Sequence, residues 1–326
     1  MRWIGVALAL AVGLIPAAAA AQGEEAREEP APFRGTGLTL RSLATALTFA
    51  PGAEPDYNPT VEMGVDAALV WWFLDDWSLA LQGGLDRELT RSDSTTGAGE
   101  VVPGDVSLTL GGSGLVKIPV LEIDLSASLG LQAPTSPSSQ ARTLLLGISP
   151  GVSARRGFDV LDGLSVGYGA RGSYFAHRLT TSERQSPLID DCALATGGCE
   201  PFLNLGVRNV EARLSHSADL SLGVGGGLGL SAGVTLINDF LYDGVEDERV
   251  SFTPQEVEDE RFSVVTTAAL SWAPMAAAQL RLGVVTAGSQ RAPDQSLNNP
   301  FFNRNTAIFI DLGLDLAGLV SQVSGD

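Results

Sequence analysis

The sequence predicts an all-β protein: a single antiparallel, up-and-down β-barrel of about twelve strands, with ten or fourteen as the neighbouring counts. Three observations lead to this fold class. Apolar residues alternate with polar or small residues along most of the chain, which is the period of a strand. The connections between the alternating stretches are long and short in turn. Prolines, which cannot donate a hydrogen bond to a sheet, avoid the interior of these stretches except at Pro150, where a bulge is expected.

The composition excludes several classes of protein. The chain has 20 basic and 38 acidic residues and a formal net charge of −18, so it lacks the basic face that binds nucleic acid or anionic membrane surfaces. Its mean hydropathy of +0.17 is too high for a disordered acidic chain. The 38 glycines disfavour a helical protein, since glycine inside a helix costs about 1 kcal/mol relative to alanine.

Residues 1–21 have the pattern of a cleaved secretory signal peptide: Arg2, an apolar stretch over 4–15 and small residues over 17–21. The acidic, proline-containing segment 22–36 is predicted to be a disordered periplasmic lead-in. The barrel is predicted over residues 37–318, and residues 319–326 are predicted to form a short periplasmic tail. Removal of Arg2 with the signal leaves a net charge of −19.

Twelve stretches have the alternating pattern, which is clearest in residues 121–132, 164–176 and 307–317. Residues 220–237 contain no charge over 18 positions, but their apolar residues recur at every second position. This stretch is therefore predicted as a strand and not as a membrane-spanning helix. The predicted strands are 37–49, 60–72, 77–89, 103–112, 119–132, 142–154, 163–178, 207–216, 220–240, 262–272, 277–286 and 305–317.

A soluble β-sandwich would also alternate, with its apolar face inward. Two features favour a transmembrane barrel, whose apolar face meets lipid. The connections match the long external loops and short periplasmic turns of such barrels. The four tryptophans outside the signal also lie beside predicted short turns, where an aromatic girdle meets the membrane interface. These tryptophans are Trp71, Trp72, Trp77 and Trp272.

In this pattern the chain resembles the outer-membrane β-barrel proteins of Gram-negative bacteria in general, over nearly its whole mature length, and it is porin-like without a motif of a specific family. The resemblance implies location in the cell outer membrane, contact with its lipid and lipopolysaccharide, and insertion by the barrel assembly machinery. Members of this class usually end their last strand with an aromatic C-terminal residue. Here residues 317–326 follow the last apolar strand position, Leu316, so an assembly signal would be internal, within 309–316.

The alternation also assigns charged residues to the barrel interior. They comprise Glu62, Asp66, Asp86, Glu88, Glu122, Asp124, Arg171, Glu211, Arg213, Arg281, Asp311 and Asp315. With Asp105 and Arg41, the interior would contain ten acidic and four basic residues. A negatively charged lumen attracts cations and repels anions. The alternative is that ion pairs, such as Arg41 with Asp311 or Asp315 and Arg171 with Glu211, hold the barrel shut.

Two predictions concern the long loops. Cys192 and Cys199, the only cysteines, have six residues between them. A disulfide is predicted there, because an exported chain meets an oxidising compartment. The acidic loop 241–261 lacks the spacing of a calcium-binding loop and is predicted to be solvated.

The predicted function is a passive or weakly selective, cation-preferring channel for small polar solutes. One alternative is a non-conducting structural or adhesive barrel that presents long loops such as 179–206. A hydrolase is less favoured, because the only two histidines, His177 and His216, are predicted near opposite membrane surfaces and no G-x-S-x-G elbow is present. No catalytic residue, metal site or cofactor is predicted, and the oligomeric state is left open.

Overall fold

In the computed structural model, which describes residues 32–49, 59–90, 99–182, 207–243, 259–289, 297–303 and 305–324, the chain forms one antiparallel sheet closed into a barrel. The barrel has twelve strands, as predicted, and one short additional strand. The strands are β1 (Gly37–Thr45), β2 (Val61–Leu74), β3 (Trp77–Glu88), β4 (Val101–Pro103), β5 (Val106–Ile118), β6 (Ile123–Ala133), β7 (Leu144–Phe158), β8 (Leu164–His177), β9 (Val210–Gly225), β10 (Leu228–Leu241), β11 (Glu260–Met275), β12 (Ala278–Ser289) and β13 (Thr306–Asp315). A 3₁₀ helix (Ala46–Phe49) and the helices α1 (Pro137–Ala141) and α2 (Leu316–Ser324) complete the regular structure described.

The barrel closes by pairing its first strand with its last. β1 pairs with β13 from Gly37 opposite Asp315 to Thr45 opposite Ala307, and the other strands pair with their neighbours in the chain. β4 and β5 both pair with β3, with a register change of one residue between them. The two strands therefore form one barrel strand interrupted by a bulge at Gly104 and Asp105.

The two faces of the wall differ in polarity because successive side chains of a strand point to opposite sides. Large apolar side chains such as Val65, Leu81 and Ile310 are exposed on the outer face. Arg41 and Asp311, on the other face, pair inside the barrel. At one end, which we call the short-turn end, consecutive strands are joined by two to five residues; at the other, the long-loop end, the connections are longer.

The turn between β9 and β10 differs from the prediction. The predicted strands 207–216 and 220–240 leave a turn at 217–219, but β9 continues to Gly225 and β10 starts at Leu228. Gly225, Gly226 and Gly227 all have positive φ. Glycine adopts this backbone region readily, whereas other residues do so at a cost. The glycine run therefore allows a turn of two residues between β9 and β10.

The ends of the barrel also differ from the prediction. Residues 32–36 form a turn in which Phe33 O accepts a hydrogen bond from Thr36 N, although they were expected to be disordered. The predicted tail begins inside α2, which follows β13 directly. The signal peptide and residues 22–31 lie outside the described residues. None of the described helices is long and apolar enough to span a membrane.

The bulge expected at Pro150 is absent. Pro150 lies opposite Leu129 of β6, and β7 keeps one register with β8 on both sides of it, with Ile148 opposite Tyr174 and Gly151 opposite Arg171. Around Pro150 the ladder to β8 omits positions 149 and 150, and the one register shift in this ladder lies further along, between Leu144 and Leu146. The missing N–H of proline therefore leaves a local gap in the ladder instead of a register shift.

We expect Gly227→Ala to destabilise the barrel more than Gly226→Ala. Both residues have positive φ, but a Cβ at Gly227 would overlap the carbonyl oxygen of Ala273, whereas no atom lies within 4 Å of a Cβ at Gly226. In urea unfolding from lipid vesicles, G227A should lower the free energy of unfolding by about 2–4 kcal/mol and G226A by about 1 kcal/mol. Equal losses would contradict this turn geometry.

Candidate functional site: the charged interior of the barrel

One wall of the interior is acidic. On β2 and β3, Glu62, Asp66, Asp86 and Glu88 lie at alternate positions of the inward face. Asp86 is paired with Gly64, and Asp66 with Gly84, and in each pair a Cβ on the glycine would overlap the carboxylate of its partner. The glycines therefore make the room in which two carboxylates lie against the barrel wall.

A row of alternating charges crosses the junction of the first and last strands. Arg281 of β12, Asp311 of β13 and Arg41 of β1 are directly opposite one another in the ladders. Asp311 Oδ2 lies 3.7 Å from Arg281 Nη1, and Asp311 Oδ1 lies 3.6 Å from Arg41 Nε. Arg41 Nη2 also lies 3.0 Å from Asp66 Oδ2. The predicted pairing of Arg41 with Asp311 is confirmed, and it joins the acidic wall to the closing strands.

Arginines dominate the opposite wall. Arg155 of β7 pairs with Asp219 of β9 at 3.4 Å, and Arg171 projects inward from the middle of β8. Arg213 of β9 contacts both carboxylate oxygens of Asp239 on β10, at 2.5 and 2.9 Å. β2 and β9 are six positions apart around the ring of twelve strands, so the acidic and arginine walls face each other across the interior.

The loop between β6 and β7 folds across the long-loop end. Asp105, turned inward by the bulge, accepts hydrogen bonds from Ser136 N at 2.7 Å and from the Ser139 hydroxyl, and so holds the start of α1. Arg142 follows α1 and is exposed to solvent. Partial desolvation by the surrounding protein, and then repulsion from Arg261 and Arg213, lower the pKa of Arg142. The loop therefore adds a further guanidinium beside the arginine wall.

A buried asparagine fixes this loop in place. Asn209 is almost fully buried, and its Nδ2 donates to the carbonyl oxygens of Arg142 and Leu179, each at 2.8 Å. Its Oδ1 accepts from the Ser182 hydroxyl at 2.8 Å. Thr143 adopts a positive φ of 58° beside this network. Three separate chain segments are thus held together at the long-loop end.

A third part of the interior is apolar and filled. Ile237, Val265, Ala269 and Phe309 face inward from β10, β11 and β13 and are almost fully buried. Phe309 occupies the space left by Gly283, where a Cβ would meet its ring. This packing narrows the interior on one side of the barrel.

The interior nevertheless admits solvent at mid-height. The side chain of Asp66, near the middle of β2, is 45% exposed, and that of its partner Arg41 is 35% exposed. Arg171, near the middle of β8, is also exposed although it points inward. In a side-chain-filled barrel these inward groups would be buried, so a water-accessible space separates the two charged walls.

Eleven of the twelve charged residues that the sequence assigned to the interior lie on inward strand positions. Glu122 does not, because β6 starts at Ile123 and Glu122 lies in the preceding turn with a positive φ. The proposed pair of Arg171 with Glu211 does not form: Arg171 lies opposite Ser215, and no ion pair joins it to Glu211 among the described residues.

Five further charged residues face the interior although the sequence did not assign them to it. Three of them lie beyond the predicted strand ends: Lys117, Arg155 and Arg261. Asp219 lies in the wrongly predicted turn, and Asp239 lies within a predicted strand, where the alternation of residues could have identified it. The described strands then place ten acidic and seven basic side chains inward, a net charge of −3. The sequence assignment without Asp105, which lies between β4 and β5, has nine acidic and four basic residues, a net charge of −5. The acidic side chains are Glu62, Asp66, Asp86, Glu88, Asp124, Glu211, Asp219, Asp239, Asp311 and Asp315, and the basic ones are Arg41, Lys117, Arg155, Arg171, Arg213, Arg261 and Arg281.

The tryptophans lie near the short-turn end but not all on one face. Trp71 and Trp272 are exposed on the outer face, and Trp77 shares the outward parity of Leu81. Trp72 points inward, contrary to its assignment to the girdle. Its indole N–H donates to Arg34 O at 3.0 Å, and the Arg34 guanidinium lies 3.7 Å from its ring centre. The reason is that adjacent residues of a strand cannot both face lipid.

The two histidines lie on opposite sides of the wall. His177 Nδ1 donates to Arg142 O at 2.6 Å on the inner side of the long-loop end. His216 lies in the middle of β9 and not near a turn as predicted, and its Nδ1 is 2.7 Å from the Tyr168 hydroxyl on the outer face. They cannot act together on one substrate.

Two loop predictions fall outside the described part of the chain. Cys192 and Cys199 are not among the described residues, nor are residues 244–258 of the acidic loop. Within the described residues, no group of three or more His, Cys, Asp or Glu side chains is arranged to hold a metal ion.

We expect Arg41→Met to destabilise the barrel, because it leaves Asp66 and Asp311 without the cation that bridges them. Breaking a partly buried pair in an interior that contains water should lower the free energy of unfolding by about 1–3 kcal/mol. The matched control is Arg171→Met, since Arg171 forms no ion pair within the described residues; its loss should stay below about 1 kcal/mol. Urea unfolding of both variants tests this, and equal losses would argue against the bridging role.

The chain was compared with known proteins and structures. No protein-family model and no curated protein matches it. An outer membrane channel from Pseudomonas putida F1 superimposes with a TM-score of 0.51 at 10% identity, over 88% of this chain and 99% of that chain. The NanC porin gives 0.45 at 10% identity, over 85% of this chain and 98% of that chain. A Salmonella typhi outer membrane phospholipase gives 0.37 at 12% identity, over 89% of this chain and 94% of that chain.

Of these three structures, the channel has a TM-score above 0.5, and at 10% identity it establishes the fold alone. By its fold, the chain is a twelve-stranded β-barrel of the outer-membrane type.

Proposed function

We propose that the protein is a passive outer-membrane channel for small polar solutes, with a weak preference for cations. The observation that supports it most directly is the solvent exposure of inward side chains at mid-barrel: the Asp66 side chain is 45% exposed on one wall, and Arg171 is exposed on the other. Water that reaches both walls provides a path along which a small hydrated solute can move.

The charge of the interior supports the preference for cations. Its formal net charge is −3 over the described strands, and no ion pair neutralises Glu62 or Asp86 there. Asp311, by contrast, is neutralised by Arg41 and Arg281. The preference is weak because the arginine wall offsets much of the acidic charge and attracts anions.

Location and assembly belong to the same proposal. An apolar outer face with exposed tryptophans near the short-turn end suits a lipid bilayer. We propose export with removal of residues 1–21, insertion by the barrel assembly machinery, and contact of the outer face with outer-membrane lipid and lipopolysaccharide.

Glu62→Gln combined with Asp86→Asn should reduce the cation preference, because it removes two unpaired carboxylates from the lumen. In a planar bilayer with a salt gradient, the wild-type protein should give discrete current steps and a reversal potential whose sign indicates that cations permeate better than anions. The double variant should lower the cation-to-anion permeability ratio by about two-fold. The matched control is Glu122→Gln with Asp76→Asn, which removes the same charge from two short turns.

Two results would overturn the proposal. Inserted, folded protein that gives no conductance would exclude a channel and favour a structural or adhesive barrel. Conductance with a reversal potential that changes equally in the interior variant and in the control would show that the lumen charges do not set selectivity.

A further inference from the structure

The outer face of β8 and β9 departs from the apolar belt of the barrel. His216 lies nine residues from the short-turn end of β9 and six from its other end, so it sits near the middle of the strand. It has the outward parity of Leu214 and Leu220, which are exposed. Ionisable residues on a lipid-facing surface are rare and costly, and they mark functional contacts.

A tyrosine lies within hydrogen-bond distance of one ring nitrogen of His216 and leaves the other ring nitrogen without a partner among the described residues. The Tyr168 hydroxyl lies 2.7 Å from His216 Nδ1, and Tyr168 is itself exposed on the outer face. The imidazole has a second nitrogen, Nε2, which accepts or donates according to the tautomer. No hydrogen bond to Nε2 is formed within the described residues.

A second polar group with no hydrogen-bond partner lies beside it. Asn238 has outward parity on β10, and its register places it next to His216: Leu236 is opposite His216, and Asn238 is opposite Leu214. Outward side chains in this diagonal relation lie about 7–8 Å apart. The Asn238 amide makes no hydrogen bond within the described residues, and its Oδ1 is buried without one.

Part of the surface around these groups consists of small residues. Outward positions near His216 include Ala170, Gly172 and Ala218, beside the larger exposed side chains of Leu214 and Leu236. A Cβ at Gly172 would meet no atom within 4 Å, so a larger side chain there would project from the outer face without a clash. Small residues permit close approach of backbones between membrane-embedded surfaces.

We propose that the outer face of β8–β10, defined by Tyr168, Gly172, His216 and Asn238, is the contact surface for a second copy of this chain. In a two-fold arrangement, this surface of one copy contacts the same surface of the other copy. His216 Nε2 of each copy then accepts a hydrogen bond from Nδ2 of the partner's Asn238, because the Asn238 Oδ1 is buried within its own barrel.

A second copy explains the patch better than lipid does. Acyl chains offer no hydrogen-bonding groups, so in lipid the imidazole and the amide would remain unsatisfied. The donor and the acceptor are adjacent on one surface, which makes the patch self-complementary. The inference rests on membrane insertion and does not depend on conduction.

The test is the association state of the full mature protein in lipid vesicles, measured by fluorescence transfer between two labelled populations as the protein is diluted in lipid. The wild type should form dimers. His216→Leu should remove the hydrogen bond, and Gly172→Leu should add a bulky side chain to the contact surface without a clash inside one barrel. Each variant should raise the dimer dissociation constant by about ten-fold.

Gly83→Leu is the matched control for the steric variant. Gly83 lies on the outer face of β3, and a Cβ there would make only an ordinary contact of 3.5 Å with Val106. Ser42→Leu is the control for loss of a polar group, on β1 directly across the barrel from β8. Both controls should dimerise as the wild type does, and circular dichroism should show every variant folded. A monomeric wild type, or dimers that persist at wild-type strength in both test variants, would overturn the proposal.

Discussion

Every backbone N–H and C=O in a bilayer must find its partner within the protein, and the pairing of β1 with β13 is what meets this demand. Without it, two strand edges would face hydrocarbon. Together with the pairing of β12 and β13, it sets Arg281, Asp311 and Arg41 in one row, so the ladder that closes the barrel is also joined by ion pairs on its inner side. The division into an apolar outer face and a charged interior follows from closure, because alternate side chains can face only lipid or lumen.

The interior charges are separated by the order of the strands around the ring. Carboxylates on β2 and β3 face arginines on β7 to β9, and the buried side chains of Phe309 and Val265 fill part of the space to one side. Glycines make this arrangement possible: Gly64 and Gly84 leave room for carboxylates, and Gly283 leaves room for an aromatic ring. The abundance of glycine in the chain thus reflects side-chain crowding inside a closed wall, in addition to the tight turns.

Sequence reasoning succeeded where a property repeats along a strand and failed where it depends on a strand's end. Alternation over ten or more residues identifies a strand despite single exceptions, so the strand count and most inward charges could be read directly. A turn depends on two or three residues only. Asp219 was therefore assigned to a turn, although it lies in β9 and faces Arg155 inside the barrel. Because β5, β7 and β11 extend beyond the predicted strand ends, Lys117, Arg155 and Arg261 belong to strands and face inward instead of lying in turns or loops.

The sequence by itself determined the all-β class, the number of strands and the sign of the interior charge, because each follows from the two-residue period of a strand. Only the tertiary structure decided which charges face one another, that Trp72 packs on Arg34 inside the barrel, and that His216 faces outward at mid-strand. These depend on the register and curvature of the sheet, which bring together residues distant in the chain. Local periodicity contains no information about that register, since shifting a strand by two residues leaves its pattern unchanged.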